Sequence, residues 1–336
     1  RNTYGSGPYK LKSWTKGNKM VFVENKRWWG KKLYPNMPKT VILRRIKEAA
    51  TRVKSLEAGE VDVAWGVLPQ YVTALQKNPK TKVKAVPAVR IMFLSFFSKH
   101  GGPMANQKVR LAINYAIDDA LIRKTILGGR ADPIGGLLHP WNFSGYNPKR
   151  KWWGHDLDKA KALMKEAGFA SGFKAELIAT NGRYPGDKPT CEAIAGMLKN
   201  INIKATCNSQ RFPLFKKMHR AYQAGKRKGA AMYYMGFGNG GGEPGLLFSG
   251  TSMCGGSWSG HCIKELDDQV KKANATPEPK AQHAEYDKAT GIQKRLATHK
   301  VVAKIHDVLG YSNRINFTPR HDETLYPWEI SMKAMN

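Results

Sequence analysis

Acidic residues are scarce in this chain. Its 336 residues hold 25 Asp and Glu against 56 Lys and Arg, a formal net charge of +31. No apolar run approaches the ~20 residues that span a bilayer, which excludes a hydrophobic transmembrane helix. No long basic tail, basic helix or nucleic-acid motif is visible, which argues against nucleic-acid binding. The basic clusters are short: Arg44-Arg45, Lys149-Arg150-Lys151 and Lys226-Arg227-Lys228. The charge therefore reads as a solvated surface adapted to its surroundings, an acidic periplasm for example, with an anionic partner as the alternative. Internal repeats and low-complexity tracts are absent. So are a Walker loop, H-E-x-x-H and G-x-S-x-G, and His139, His155 and His261 have no acid partner at a useful spacing. The chain reads as no enzyme, with no cofactor.

What is present suits a folded α/β protein. Hydrophobic residues make up 41% and aromatics 10%, enough for a sizeable core. A hairpin is expected at Tyr9 to Trp14 and Met20 to Glu24, and a strand at Val41 to Ile46. Helix Thr51 to Ala58 is stopped by Gly59, strand Val61 to Trp65 follows, and helix Leu68 to Lys77 comes next. Extended segments are expected at Val83 to Val86 and Ile91 to Phe97. The spacing of Val109, Ala112, Ile113, Ala116, Ile117, Leu121 and Ile122 predicts one long helix from about Asn106 to Leu127. A loop runs from Pro133 to Tyr146. Asp156 caps a helix Leu157 to Ala167, and strand Phe173 to Ala179 follows. Further on come a helix from Pro213 to Gln223, a buried strand Ala230 to Met235 entering a glycine-rich loop, and helices near Ile263 to Asn274 and Lys280 to Ala297. Tyr311 to Phe317 and Tyr326 to Ser331 read as extended.

The four cysteines fall into two pairs. Cys191 shares a face with Ile194 and Leu198 on a helix Thr190 to Asn200, and Cys207 shares a face with Ile203 and Ala205 on the next strand. From Cys191 to the helix end is about 12 Å at ~1.5 Å per residue, and from Ile203 to Cys207 about 13 Å at ~3.3 Å per residue, which brings the sulfurs level across an α/β unit. Cys254 and Cys262 close a short Gly- and Ser-rich loop. Two disulfides imply an oxidising compartment; four buried thiols are the alternative. His261 beside Cys262 offers too few ligands for a metal site.

Several segments, in order, resemble the family 5 extracellular solute-binding proteins, which include dipeptide-, oligopeptide-, glutathione- and nickel-binding receptors of ABC transporters. Gly5-Ser6-Gly7-Pro8-Tyr9, after Tyr4, is similar to that family's GTGPY strand, and Asn25-Lys26-Arg27-Trp28-Trp29-Gly30 to its N-x-x-Y-W-G turn. Thr51-Arg52-Val53 through Leu56-Glu57-Ala58-Gly59-Glu60-Val61-Asp62 resembles its helix and GEVD strand. Lys108-Val109-Arg110-Leu111-Ala112 with Asn114-Tyr115-Ala116-Ile117-Asp118 resembles V-R-x-A-x-x-Y-A-I-D. Asp158-Lys159-Ala160-Lys161-Ala162-Leu163 resembles the helix that follows.

The resemblance implies a type II periplasmic-binding-protein-like α/β fold, two lobes joined by crossover hinge strands. The first, incomplete lobe is expected at 1–92 plus 312–336 and the second at 93–311, with crossovers near Val89 to Ser95 and Leu309 to Ile315. It also implies that the family's N-terminal part, with its export signal and a whole domain, precedes this chain. The expected place is periplasmic or extracellular, including membrane anchorage through that missing part, and the expected partner is an ABC transporter permease. The expected ligand is a peptide-like or zwitterionic solute, or an anionic one if the net charge reaches the cleft between the lobes. The alternative is a basic interaction or structural subunit derived from such a receptor.

The site expected from the resemblance comes from two loops. Gly236-Phe237-Gly238-Asn239-Gly240-Gly241-Gly242-Glu243-Pro244 resembles the G-W-x-G-D-x-x-D-P loop, in which the acid before proline pairs with a peptide ammonium. Glu243 stands there, with a solvated loop acid as the alternative. Its longer side chain departs from the aspartate of that pattern. Thr180-Asn181-Gly182-Arg183-Tyr184-Pro185-Gly186-Asp187 resembles N-G-R-Y-P-G-D, and Arg183 can fork onto a ligand carboxylate or be a surface arginine. Asn181, Tyr184, Phe237, Gly238 and Asn239 complete these loops. Trp141 and Trp65 are expected as cleft walls, with plain core packing as the alternative. Gly236, Gly238 and Gly241 also match G-x-G-x-x-G, but Pro244 and glycines stand where a dinucleotide-binding helix should begin.

Overall fold

The computed structural model describes residues 5–142 and 144–333. Tyr4, Phe143 within the expected 133–146 loop, and the last three residues lie outside the described residues. The chain separates into two compact units, Arg1–Val86 with Asp307–Asn336, and Pro87–His306.

The first unit opens with strands β1 (Tyr9–Thr15), β2 (Lys19–Glu24) and β3 (Thr40–Arg44) in one antiparallel sheet. The hairpin turns at Gly17, whose φ of 80° favours glycine. Helix α1 (Ala49–Glu57), strand β4 (Val63–Trp65) and helix α2 (Pro69–Lys77) follow. Val53, Leu56, Ala64, Val67, Val72, Leu75 and Val308 form their core. Gly310 packs tightly there: a Cβ would lie 2.8 Å from Leu56 and 3.1 Å from Leu75, so those side chains would have to shift. The two expected segments around residues 83–97 are one strand, β5 (Thr81–Phe96), which leads from the first unit into the second.

The second unit contains helices α3 (Gln107–Ala116) and α4 (Asp119–Thr125), the short strand β6 (Ala131–Asp132) and helix α5 (Leu157–Glu166). The single helix expected over 106–127 is thus two. Ile117 is extended (φ −90°, ψ 116°). Asp118 then caps α4 by accepting the Leu121 N–H at 2.8 Å. The apolar spacing continues across the break because both helices face one core, so periodicity alone cannot reveal it. Asp156 caps α5 as expected, accepting the Lys159 N–H at 2.9 Å.

Strands and helices then alternate: β7 (Phe173–Thr180), α6 (Asp187–Leu198), β8 (Ile203–Gln210), α7 (Phe212–Gln223), β9 (Ala230–Gly238) and α8 (Pro244–Thr251). Helices α9 (Lys264–Asn274) and α10 (Pro279–Arg295) precede β10 (His299–Ser312). Strand β7 pairs in parallel with β8 on one side and β9 on the other, and β9 pairs antiparallel with β5. Strand β10 neighbours β5 and passes into the first unit. There the two-residue strands β11 (Ile315–Asn316) and β12 (Ser331–Met332) pair with each other.

Two of these elements correct the sequence reading. Strand β10 was expected only from its last residues, because its buried polar residues break the apolar pattern. Lys300, fully buried, donates to Asp119 at 2.6 Å and to the Trp153 carbonyl at 2.8 Å. Helix α8 begins at Pro244, where no helix was expected. Proline is at home in a first helical turn, since its missing N–H would have no partner there.

Both disulfides are formed. Cys191 on α6 bridges Cys207 on β8, with Cα atoms 5.7 Å apart, and Cys254 bridges Cys262 at 4.2 Å. Replacing Cys191 and Cys207 together with alanine is expected to lower the unfolding free energy by about 3 kcal/mol for a loop of this length. Urea denaturation of the oxidised protein measures it, and an unchanged midpoint would contradict the claim.

Four histidines are buried inside this unit, His139, His219, His261 and His299. His219 packs among Phe97, Tyr233 and Trp258, and the rings of His261 and His299 are 5.3 Å apart. Burial pushes His219 and His261 down to about 4 and His299 well below the usual range. An unfolded histidine takes its proton near pH ~6.5, whereas these remain neutral in the fold. Stability is therefore full above that pH and falls on acidification towards 4, by up to about 1.4 kcal/mol per pH unit for each histidine. Thermal melts from neutral pH down to 4 should show this slope, and His219→Leu should reduce it. An identical slope in that variant would rule His219 out as a contributor.

Candidate functional site

Parallel pairing of β7 with β9 sends the chain out of both strands at the same sheet edge. Each strand then feeds a loop and a helix, α6 after β7 and α8 after β9. Open α/β sheets hold their ligands at such carboxyl edges. The two loops singled out in the sequence are the ones that leave here.

Asp187 organises the first loop. It is 3% exposed, and its carboxylate accepts five donors. These are the Thr180 hydroxyl (2.9 Å) and the backbone N–H groups of Gly182 (3.1 Å), Arg183 (3.0 Å), Tyr184 (3.2 Å) and Lys188 (2.9 Å). Three successive amides of a loop thus find one acceptor, which fixes where Arg183 and Tyr184 point. The Tyr184 hydroxyl donates to the Gly236 carbonyl at 2.9 Å and ties this loop to β9.

Arg183 is exposed but held. Its guanidinium lies 3.7 Å from the centre of the Phe212 ring, and its Nε donates to the Tyr184 hydroxyl at 3.0 Å. That geometry orients a planar fork of donors for a carboxylate at low entropic cost. Asn181 is exposed, and its N–H donates to the Gln210 carbonyl at 2.9 Å.

The second loop leaves β9 through half-buried Phe237 and Gly238. Asn239 is 2% exposed and donates through Nδ2 to the Glu243 carbonyl at 2.8 Å. Asn142 donates to the Gly242 carbonyl at 3.0 Å, which joins a third loop, the one carrying Trp141. Trp141 is 36% exposed, and the Lys304 ammonium stands 5.1 Å from its ring centre. Glu243 is exposed and caps α8, its Oε1 accepting the Gly245 N–H at 3.1 Å. Its charge also reaches Tyr286, whose phenol is pushed up by burial first and by Glu243 second.

This capping changes the ground for setting aside a dinucleotide site. A helix does follow the glycines, but Pro244 leaves its first position without an N–H and the chain's own Glu243 carboxylate takes the Gly245 N–H.

The structure therefore gathers Asn181, Arg183, Tyr184, Phe237, Gly238, Asn239, Glu243 and Trp141 on three connected loops of the second unit. Trp65 belongs to the first unit. It ends β4 half-buried, and its carbonyl accepts Arg52 Nε at 3.1 Å. An open surface hollow bounded by Lys199, Asn202 and Lys204 lies at the opposite end of β8 and contains none of these residues. Sequence reasoning gave no role to Asp187, Phe212 or Asn142. An acid at the first turn of a helix, just after a loop rich in glycine, was the available signal for Asp187.

Comparison with known proteins bears on the fold and the family. The family model described as bacterial extracellular solute-binding proteins, family 5 Middle, matches residues 1–258. The glutathione-binding protein GsiB of Escherichia coli strain K12 is 31% identical over 203 residues, 60% of this chain and 38% of that protein. GsiB of Shigella dysenteriae is 27% identical over 300 residues, 86% of this chain and 56% of that protein. This chain thus spans between about two fifths and just over half of the length of these relatives. Among solved structures, the periplasmic binding protein DppA from Helicobacter pylori with peptide STSA superposes with a TM-score of 0.83 at 24% identity, covering 98% of this chain and 63% of that one. NikA from Staphylococcus aureus with Ni(L-His)2 gives 0.82 at 19% identity, covering 98% and 69%. The fold is thus the type II periplasmic-binding-protein fold, and the chain belongs to the bacterial extracellular solute-binding proteins of family 5.

Proposed function

We propose that this chain is the solute-gripping part of a non-catalytic extracytoplasmic receptor that delivers a small peptide-like or zwitterionic solute to an ABC importer. The observation that carries the reading is Arg183, an exposed guanidinium stacked on Phe212 and set by the Asp187-pinned loop. It is presented on the same sheet edge as the Glu243 carboxylate. A donor fork and an acid on connected loops suit a ligand with both a carboxylate and an ammonium group. The proteins this chain resembles are described with ligands such as glutathione, peptide STSA and Ni(L-His)2. Two disulfides accord with an oxidising location. Among the described residues no helix is long and apolar enough to cross a membrane.

Thermal shift with dipeptides, glutathione, opines and nickel chelates tests the solute. One class is expected to raise Tm by about 5 °C at saturation. Arg183→Ala should weaken that solute at least tenfold, by about 1.4 kcal/mol or more. Absence of any shift across the panel would overturn the reading. For the loop itself, Asp187→Ala removes the acceptor of four backbone N–H groups. It should cost about 3 kcal/mol of stability and the solute response with it. Chemical denaturation measures the first, and undiminished solute affinity in a folded Asp187→Ala protein would show that the pinned loop does not grip the ligand.

A further inference from the structure

Between Glu192 and Glu243 the chain has no acidic residue. Helix α7 lies in that stretch. It buries Phe215, Met218, His219 and Tyr222 and exposes Leu214, Lys217 and Arg220 on the opposite side. Gly225, with φ 68°, then reverses the chain, and the N–H groups of Lys226 and Arg227 donate to the Ala221 carbonyl at 2.9 and 3.1 Å. The Lys226-Arg227-Lys228 cluster is thereby folded against the last turn of α7. The sequence shows these cations as separate short runs and no basic helix. The fold sets the cluster at the end of the helix that exposes Lys217 and Arg220, and these neighbouring cations are taken together as a basic face.

One member of the face is neutralised, Arg227 by Glu176 at 2.9 Å. Among the described residues Lys217, Arg220, Lys226 and Lys228 make no ion pair. We propose that this face docks the protein on an anionic phospholipid surface. Four unneutralised cations, two exposed on the helix and two in the turn that follows it, suit a surface of phosphate headgroups, each contributing roughly 1 kcal/mol near such a surface. Leu214, 45% exposed, adds an apolar contact beside them. A nucleic acid fits less well, because single strands need aromatic stacking platforms. Phe212 lies beneath Arg183, and Tyr222 is buried. This surface is additional to the receptor reading and does not depend on it, since it involves none of the solute-loop residues.

The test is co-sedimentation of the whole chain with vesicles of phosphatidylcholine containing phosphatidylglycerol, and with phosphatidylcholine alone. Binding is expected only to the former and should vanish at high salt. Replacing Lys217, Arg220, Lys226 and Lys228 with glutamate should weaken it at least about a hundredfold. The milder pair Lys217→Gln and Arg220→Gln should weaken it about tenfold. An equal charge change elsewhere, Lys10, Lys12, Lys16 and Lys19 to glutamate in the first unit's hairpin, should leave affinity within about threefold, because screening confines the interaction to the nearest charges. Equal losses in both quadruple variants would mean that net charge alone is at work and overturn the proposal. So would tighter binding to duplex DNA than to the anionic vesicles. Circular dichroism verifies that the variants fold, and an unchanged solute response in them separates this outcome from failure of the receptor reading.

Discussion

The second unit depends on one constraint, the parallel pairing of β7 with a strand on each side. A parallel neighbour cannot be reached by a tight turn, so the chain must cross over through a helix each time. The cost is long-range connectivity. The result is that loops distant in sequence leave the sheet side by side, where a phenol, a carboxamide and a buried acid can link them. The Tyr184–Gly236 and Asn142–Gly242 contacts are consequences of that shared edge.

Charge is handled differently inside and outside. The interior cations are individually satisfied. Arg110, 6% exposed, donates to the carbonyls of Met104, Ala105, Leu296 and Ala297, and burial lowers it to about 10. Lys300 is paired with Asp119. A buried charge left without partners would cost several kcal/mol. On the surface no such penalty applies, and an excess of lysine is tolerated because water and salt screen it. Acids near these cations are already committed: Glu285 faces Lys272 and Lys288, and Asp287 holds Arg150. The positive excess is therefore what remains after local pairing.

Much of the fold was legible because it is written in local chemistry. The hairpin at Gly17, the cap at Asp156 and the placement of Cys191 and Cys207 on facing elements follow from turn, cap and spacing rules. What was not legible depends on partners far away. The Ile117 break is hidden because both helices share one core. Strand β10 carries Lys300, Lys304 and Asp307, whose burial makes sense only once their partners arrive. In the candidate site, the loops and their residues could be named from the sequence. The capping by Glu243, the Phe212 platform under Arg183 and the acceptor role of Asp187 could not, because each is a contact created by the tertiary structure.

The position of the Cys191–Cys207 bridge has a further consequence. Strand β8 ends the order of its sheet, so its outer backbone groups face away from any neighbouring strand. Such a margin is a template on which another chain can add, and proteins blunt it with lysines or covering segments. Here Lys204 is exposed on that strand, and the sulfur link fastens it to α6. A strand riveted to the helix behind it cannot peel off and seek a partner in a second molecule. The bridge thus holds the sheet's last strand in place, a local restraint against detachment that a measurement of global folding free energy would not separate out.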